Sequence, residues 1–278
     1  MRMRLLSPIL FVAALASACA ILPVPEPTTT TTVPSTTTTT VAPQAAVGLV
    51  AFGDAGVGTA TQDEVAAQMV TWAATHRTDA VFEVGDVVYD VGDPALFASR
   101  VDAPYAALTA TRPFWAALGN HDVATNNGDS LIAHLGLPGH WYEEVLSRDG
   151  VTLQLLVLDS NDVSAAQTAW LDTKLSSGSY TWRIVAFHHP AYSCGPHGNT
   201  AAVLAQWAPV IRAHAVDLVL SGHDHSYQRF HDDTTTWIVT GGGGAATTAV
   251  SACASGATTD AAAVRHHHPR SGHGKLSE

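Results

Sequence analysis

The chain has 278 residues, 46% of them hydrophobic, and its 13 Lys and Arg against 24 Asp and Glu give a formal charge of −11. Phosphate backbones are held by clustered basic side chains, and no basic stripe interrupts this acidity, so a nucleic-acid partner is not expected. Roughly 230 residues remain beyond the N-terminal segments, enough for one large domain with its own core.

Residues 1–19 have the form of an export signal. Arg2 and Arg4 precede a short apolar run over residues 5–15, too short for a membrane span, and Ala16-Ser17-Ala18 fits a cleavage site. The same stretch, ending at Cys19, is similar to a lipoprotein signal, with Ala16 where Leu is usual. A cell-surface lipoprotein attached through lipidated Cys19 and a freely secreted protein are both compatible with it. Residues 20–46 are rich in Thr and Pro with almost no charge, and form an expected disordered linker or stalk. The catalytic domain is expected over residues 47–278.

Within that domain strand-like runs alternate with helical patterns, which predicts an α/β or mixed layered sheet. Strands are expected over residues 47–52, 80–84, 114–118, 182–187, 216–220, 226–230 and 235–240. Residues 141–144 and 151–158 should form an antiparallel pair around Arg148-Asp149-Gly150. Helices are expected over 61–76, with an apolar face of Val65, Met69, Val70 and Trp72, and over 94–109, 165–175 and 200–214. Residues 124–140 are expected as loop. Beyond Gly241–Gly244 the sequence becomes small and polar, and its end, with His266, His267 and His268, looks truncated or altered. Export favours a disulfide between Cys194 and Cys253 over two free thiols.

The chemistry is concentrated in five short blocks that each end an apolar run: Gly53-Asp54-Ala55-Gly56, Gly85-Asp86-Val87-Val88-Tyr89, Gly119-Asn120-His121-Asp122, Val185-Ala186-Phe187-His188 and Gly222-His223-Asp224-His225. Ligand sites of open α/β sheets gather where strands end and loops begin. Five strand ends bearing hard oxygen and imidazole donors therefore point to a metal-centred active site.

In order and content these blocks resemble the calcineurin-like metallophosphoesterase superfamily, and within it the purple acid phosphatases of the small, tartrate-resistant type. Two details select that branch. Gly56 stands where most of the superfamily has a ligating His, and Tyr89 stands three residues after Asp86, where the purple enzymes place a phenolate. The resemblance implies a four-layer α/β/β/α sandwich and two metal ions bridged by Asp86. One ion would be held by Asp54, Asp86, Tyr89 and His225, and the other by Asp86, Asn120, His188 and His223. The anionic first set suits a hard trivalent ion, which the resemblance implies is Fe(III), and the second suits Fe(II), Zn(II) or Mn(II). His188 rather than His189 is expected to ligate, with His189 packing or hydrogen-bonding nearby. The resemblance gives His121 a role in binding phosphate and assisting the leaving group, and His197 one in substrate contact or as general acid. Asp122 is expected to orient His121 through a hydrogen bond.

The implied function is an exported acid phosphatase, a hydrolase acting on phosphomonoesters by attack of a metal-bound hydroxide. The expected partner is a small-molecule phosphate ester, and the expected state is a monomer. The alternatives are a phosphodiesterase of the same fold, disfavoured by Gly56 and Tyr89, and a catalytically dead cell-surface binding protein, disfavoured by the complete ligand set.

Overall fold

The computed structural model describes residues 46–232, 234–253 and 258–263. The expected export signal with Cys19, the stalk up to residue 45 and the His-rich tail from residue 264 lie outside the described residues.

Among the described residues, ten strands form two sheets. β1 (Leu49–Phe52), β2 (Ala80–Glu83) and β3 (Phe114–Ala116) make a three-stranded parallel sheet in that order. The second sheet has the order β10-β8-β9-β7-β6-β5-β4, from β4 (Tyr142–Arg148), β5 (Val151–Val157), β6 (Trp182–Ala186), β7 (Leu218–Ser221), β8 (Tyr227–Asp232), β9 (Thr235–Thr240) and β10 (Thr258–Ala263). Its centre, β5-β6-β7-β9, is parallel, whereas β4, β8 and β10 pair antiparallel with their neighbours.

The alternation of side chains along these strands separates three cores. Leu153, Leu155 and Val157 of β5 and Ile184 and Ala186 of β6 meet Phe82, Val84 and Ala116 from the other sheet. The intervening Leu156 and Val185, with Val219, instead face Leu171 and Leu175 of α4 (Ala165–Ser176) and Val203, Trp207 and Ile211 of α5 (Ala201–Ala213). On the far side of the smaller sheet, Phe52 and Val81 pack on Ala66 and Met69 of α1 (Ala60–Thr75) and on Tyr105 and Leu108 of α2 (Ala103–Thr109). The layers therefore run helices, sheet, sheet, helices, which is the expected α/β/β/α sandwich.

Four local expectations are revised. The buried face of α1 is Gln62, Ala66 and Met69, while Trp72 is exposed and stacks flat on His76 with ring centres 3.5 Å apart. Residues 124–140 are not simply loop: α3 (Asp129–Leu135) lies between Gly128 and Gly136, both in the left-handed region. Seven residues are too few to display a helical repeat in sequence. β4 runs to Arg148, further than the alternation of residues 141–144 indicates. β10 pairs with β8 from a segment whose composition gave no strand signal.

Glu83 sits at the end of β2, fully buried, and neither of its carboxyl oxygens has a hydrogen-bond partner. Burial, reinforced by the Asp122 and Asp54 carboxylates, raises its pKa well above the ordinary 4.5. Above pH 4.5 the unfolded chain ionises at this position while the folded chain keeps the proton. Folding then takes up a proton, and stability falls as pH rises towards the folded pKa, by up to about 1.4 kcal/mol per pH unit. Glu83→Gln removes that dependence. Thermal unfolding of both proteins between about pH 4.5 and pH 8 should show the variant gaining on the parent as pH rises; parallel curves would contradict a protonated Glu83.

Candidate metal centre

Parallel pairing places the five blocks side by side. Phe52 is registered on Glu83 and Glu83 on Ala116, so Asp54, Asp86 and Asn120 follow neighbouring strand ends. Ala186 is registered on Leu220, which does the same for His188 and His223 in the larger sheet. The chain turns sharply at each end: Asp54, Asp86 and His223 occupy the left-handed region, with φ of 60°, 55° and 71°. Such backbone is uncommon outside glycine and collects at functional sites. Here it is held by contacts across the sheets. The Asp54 carboxylate accepts the His223 amide at 3.0 and 3.1 Å, and Asp86 Oδ1 accepts the His121 amide at 3.1 Å. Gly119 is required by the close approach of this loop, because a Cβ there would stand 2.0 Å from Asp86 Oδ1.

The seven sequence-selected side chains come together as two groups. In one, the Tyr89 hydroxyl lies 3.3 Å from Asp54 Oδ1 and 3.0 Å from His225 Nε2, and His225 Nε2 lies 3.5 Å from Asp54. In the other, His188 Nε2 lies 3.2 Å from Asn120 Oδ1, and its ring centre is 5.1 Å from that of His223. Asp86 joins them: its Oδ2 is 3.3 Å from His188 Nε2, and donor atoms of Asp54, Asp86 and His188 all fall within 4.8 Å of one another. The outer nitrogens of two histidines are fixed by carbonyls, His188 Nδ1 by Val84 O at 3.0 Å and His225 Nδ1 by Ala246 O at 2.8 Å. Both therefore present Nε2 inward, as metal-binding imidazoles commonly do.

The electrostatics fit bound cations. Asp54 is fully buried and Asp86 nearly so. Burial, opposed by His188, raises Asp54 to about 7. For Asp86 burial acts in the same direction, but the charge and hydrogen bond of His188 and the His121 amide outweigh it and hold the carboxyl low. Burial alone would lower His188, yet Asp86 and Asp54 lift it to about 9, so without an ion its proton carries the positive charge the carboxylates require. Burial and the same two carboxylates push the Tyr89 phenol up. Burial and the neighbouring His188 lower His223 to about 3, which leaves that imidazole unprotonated and open to coordination.

Gly56 explains the exchange of ligand types in steric terms. A Cβ at this position would lie 1.8 Å from Val87 O, and the Gly56 carbonyl accepts the Tyr89 amide at 2.9 Å. The loop that delivers Tyr89 thus occupies the space that a side chain at residue 56 would need.

His121 lies beside the first group and His197 beside the second. The His121 ring is 4.3 Å from that of Tyr89, and its Nδ1 lies 2.5 Å from Asp90 O. The expectation that Asp122 orients this ring is therefore corrected. The Asp122 carboxylate instead accepts the amides of Val87, Val88 and Gly119 at 3.1, 2.9 and 2.8 Å, tying the Asp86 loop to the Asn120 loop. The His197 ring is 4.1 Å from that of His223, and its orienting carboxylate is Asp224, at 2.9 Å from Nδ1. Sequence reading passed over Asp224, although the period-2 spacing that puts His223 and His225 on one side places it on the other. Asp224 is fully buried and also accepts the Ser193 hydroxyl. The next residue, Cys194, is bridged to Cys253 with Cα atoms 5.4 Å apart, so the loop carrying His197 is covalently tied down.

The sequence pattern of the calcineurin-like phosphoesterase family matches residues 49–227. Purple acid phosphatase 3 of Arabidopsis thaliana is 30% identical over 199 residues, covering 60% of this chain and 54% of that protein. Rat tartrate-resistant acid phosphatase type 5 is 25% identical over 231 residues, covering 69% of this chain and 70% of the relative. The chain thus spans little more than half the length of the Arabidopsis relative. Among solved structures, a yellow lupin purple acid phosphatase superposes with a TM-score of 0.66 at 18% identity, over 78% of this chain and 47% of that one. The anchor protein of the Plasmodium inner membrane complex gives 0.68 at 18% identity, over 78% of each chain. An anchor protein shares this architecture as closely as a phosphatase does, so the fold leaves function to be argued from the site. The matched pattern covers more than half of the sequence and includes all five blocks, and the chain belongs to the calcineurin-like phosphoesterase family.

Proposed function

We propose that this protein is an exported acid phosphatase that hydrolyses small phosphomonoesters at a dinuclear metal centre, with residues 47–278 as its catalytic domain. The observation that carries the reading is the position of Asp86, a nearly buried carboxylate between two complementary donor groups. Asp54, Asp86, Tyr89 and His225 would hold a trivalent ion, Fe(III). Asp86, Asn120, His188 and His223 would hold Fe(II), Zn(II) or Mn(II). When bound, the ions supply Lewis acidity towards phosphoryl oxygens and make water nucleophilic near neutral pH.

The chain's own residues supply positioning and proton transfer. With Nδ1 held by Asp224, His197 presents Nε2, and its side chain is half exposed, which suits protonation of a leaving group departing towards solvent. His121, held through Nδ1 by Asp90 O with Nε2 at 3.9 Å from Asp86, suits a contact to the phosphoryl group. The names of the relatives support monoester hydrolysis. The Cys194–Cys253 bridge supports export, because disulfides persist in oxidising compartments. In this reading residues 1–19 direct export, residues 20–46 form the linker, and the protein is a monomer. It is either retained at the cell surface through lipidated Cys19 or secreted.

Two measurements check this reading. His197→Ala should lower kcat on alkyl phosphates by about 10²-fold and on p-nitrophenyl phosphate far less, since a general acid matters most for a basic leaving group. Equal losses on both would assign His197 to binding or structure. The oxidised protein should be coloured by charge transfer from the Tyr89 phenolate to Fe(III), and Tyr89→Phe should abolish the band while circular dichroism is unchanged. An active protein that is colourless and free of iron would overturn the iron assignment.

A further inference from the structure

A sixth strand end reaches the site without contributing a candidate ligand. After β5 the chain passes through Asp159-Ser160-Asn161, of which Asp159 and Ser160 are buried and Asn161 is exposed. Asn161 Nδ2 donates to Leu118 O at 3.1 Å and so braces the loop that carries Asn120. Asp159 Oδ1 fixes Asn161 by accepting its amide at 2.9 Å and its side-chain nitrogen at 2.8 Å. Ser160 Oγ accepts the His189 amide at 2.9 Å and also lies 2.9 Å from His189 Nδ1.

Hydrogen-bond accounting favours one tautomer of the His189 ring. Ser160 is 6% exposed, and its oxygen already accepts an amide, so its hydroxyl proton needs an acceptor inside the protein. His189 Nδ1 is the acceptor in reach, and a neutral imidazole that accepts at Nδ1 carries its proton on Nε2. In that tautomer Nε2 is a donor and has no lone pair for a metal. The ring nevertheless lies at the centre, with its own centroid 4.5 Å from that of His223 and 5.0 Å from that of His188. Donor nitrogens of the three histidines fall within 4.8 Å of one another.

We infer that His189, locked by Ser160, is a substrate-binding residue that donates from Nε2 to an oxygen of the phosphoryl group, beside the ion held by His188 and His223. This inference rests on the phosphatase reading for its substrate. Its own content is narrower: an N–H aimed at a tetrahedral oxyanion and not a further metal ligand. With the His197 ring also against His223, the second donor group is then bordered by two imidazoles, one serving the phosphoryl oxygens and one serving the leaving group.

Inorganic phosphate is the probe, titrated calorimetrically into the metal-loaded full chain, with metal content measured by elemental analysis. His189→Ala should keep the metal content of the parent and weaken phosphate binding by about tenfold or more, the size expected for a hydrogen bond to a charged group. His189→Gln, whose side-chain NH₂ can reach the same place, should recover part of that loss, and Ser160→Ala should weaken binding in the same direction but less. Loss of metal in His189→Ala would make His189 a ligand and overturn the inference. Unaltered phosphate affinity with unaltered metal content, or no phosphate binding by the parent, would overturn it as well. Parent protein that binds phosphate through His189 yet hydrolyses no phosphomonoester would leave the inference standing and remove the phosphatase reading instead.

Discussion

Two carboxylates without access to water, Asp54 and Asp86, govern the arrangement of everything around them. Both follow strands of the smaller sheet, both turn through left-handed backbone, and both are packed against imidazoles and a phenol. Burying one carboxylate is costly and burying two side by side more so, unless positive charge is close. The structure answers that demand in its hydrogen bonds and in its protons. Amides of His121 and His223 point at the carboxylates, and His188 takes up a proton well above its ordinary range. A pair of cations in place of that proton would satisfy the same field, with candidate donors already aimed at it. Stability and function therefore draw on one electrostatic constraint.

Around that centre the protein builds a scaffold that is mostly backbone. The Asp122 carboxylate gathers three amides from two loops, and Asn161 braces the Asn120 loop through carbonyls. Asp224 and Ser193, next to the Cys194–Cys253 bridge, anchor the loop that bears His197. Such supports hold side chains in the geometry that positioning catalysis needs, and their loss is felt at the site although they touch no substrate.

Much of this was legible in the sequence, for definable reasons. The five blocks could be read because each brings a candidate donor two to four residues beyond the end of an apolar strand, and parallel register then converts sequence offset into proximity. The sheets and the longer helices could be read from their periods. What stayed hidden depends on contacts between segments far apart in the chain. Asp122 looked like a partner for its neighbour His121, but its amide partners at Val87 and Val88 are 35 and 34 residues away. Asp224 serves His197 across 27 residues, and Ser160 meets His189 across 29. Helix α3 was too short to show a repeat, and β10 is specified by its pairing with β8 and not by its composition. The missing histidine at Gly56 was visible as an exchange of residue types, whereas its cause, the Val87 carbonyl lying against that position, appears only in three dimensions.

The central claim is that Asp86 bridges two ions held by the two donor groups. Crystals of the metal-loaded protein, with anomalous diffraction collected at the iron edge and on either side of the zinc and manganese edges, test it directly. The account predicts two anomalous peaks roughly 3.5–4 Å apart, one bound by Asp54, Tyr89 and His225, the other by Asn120, His188 and His223, with Asp86 bound to both. A single peak, or two peaks without Asp86 between them, would contradict it.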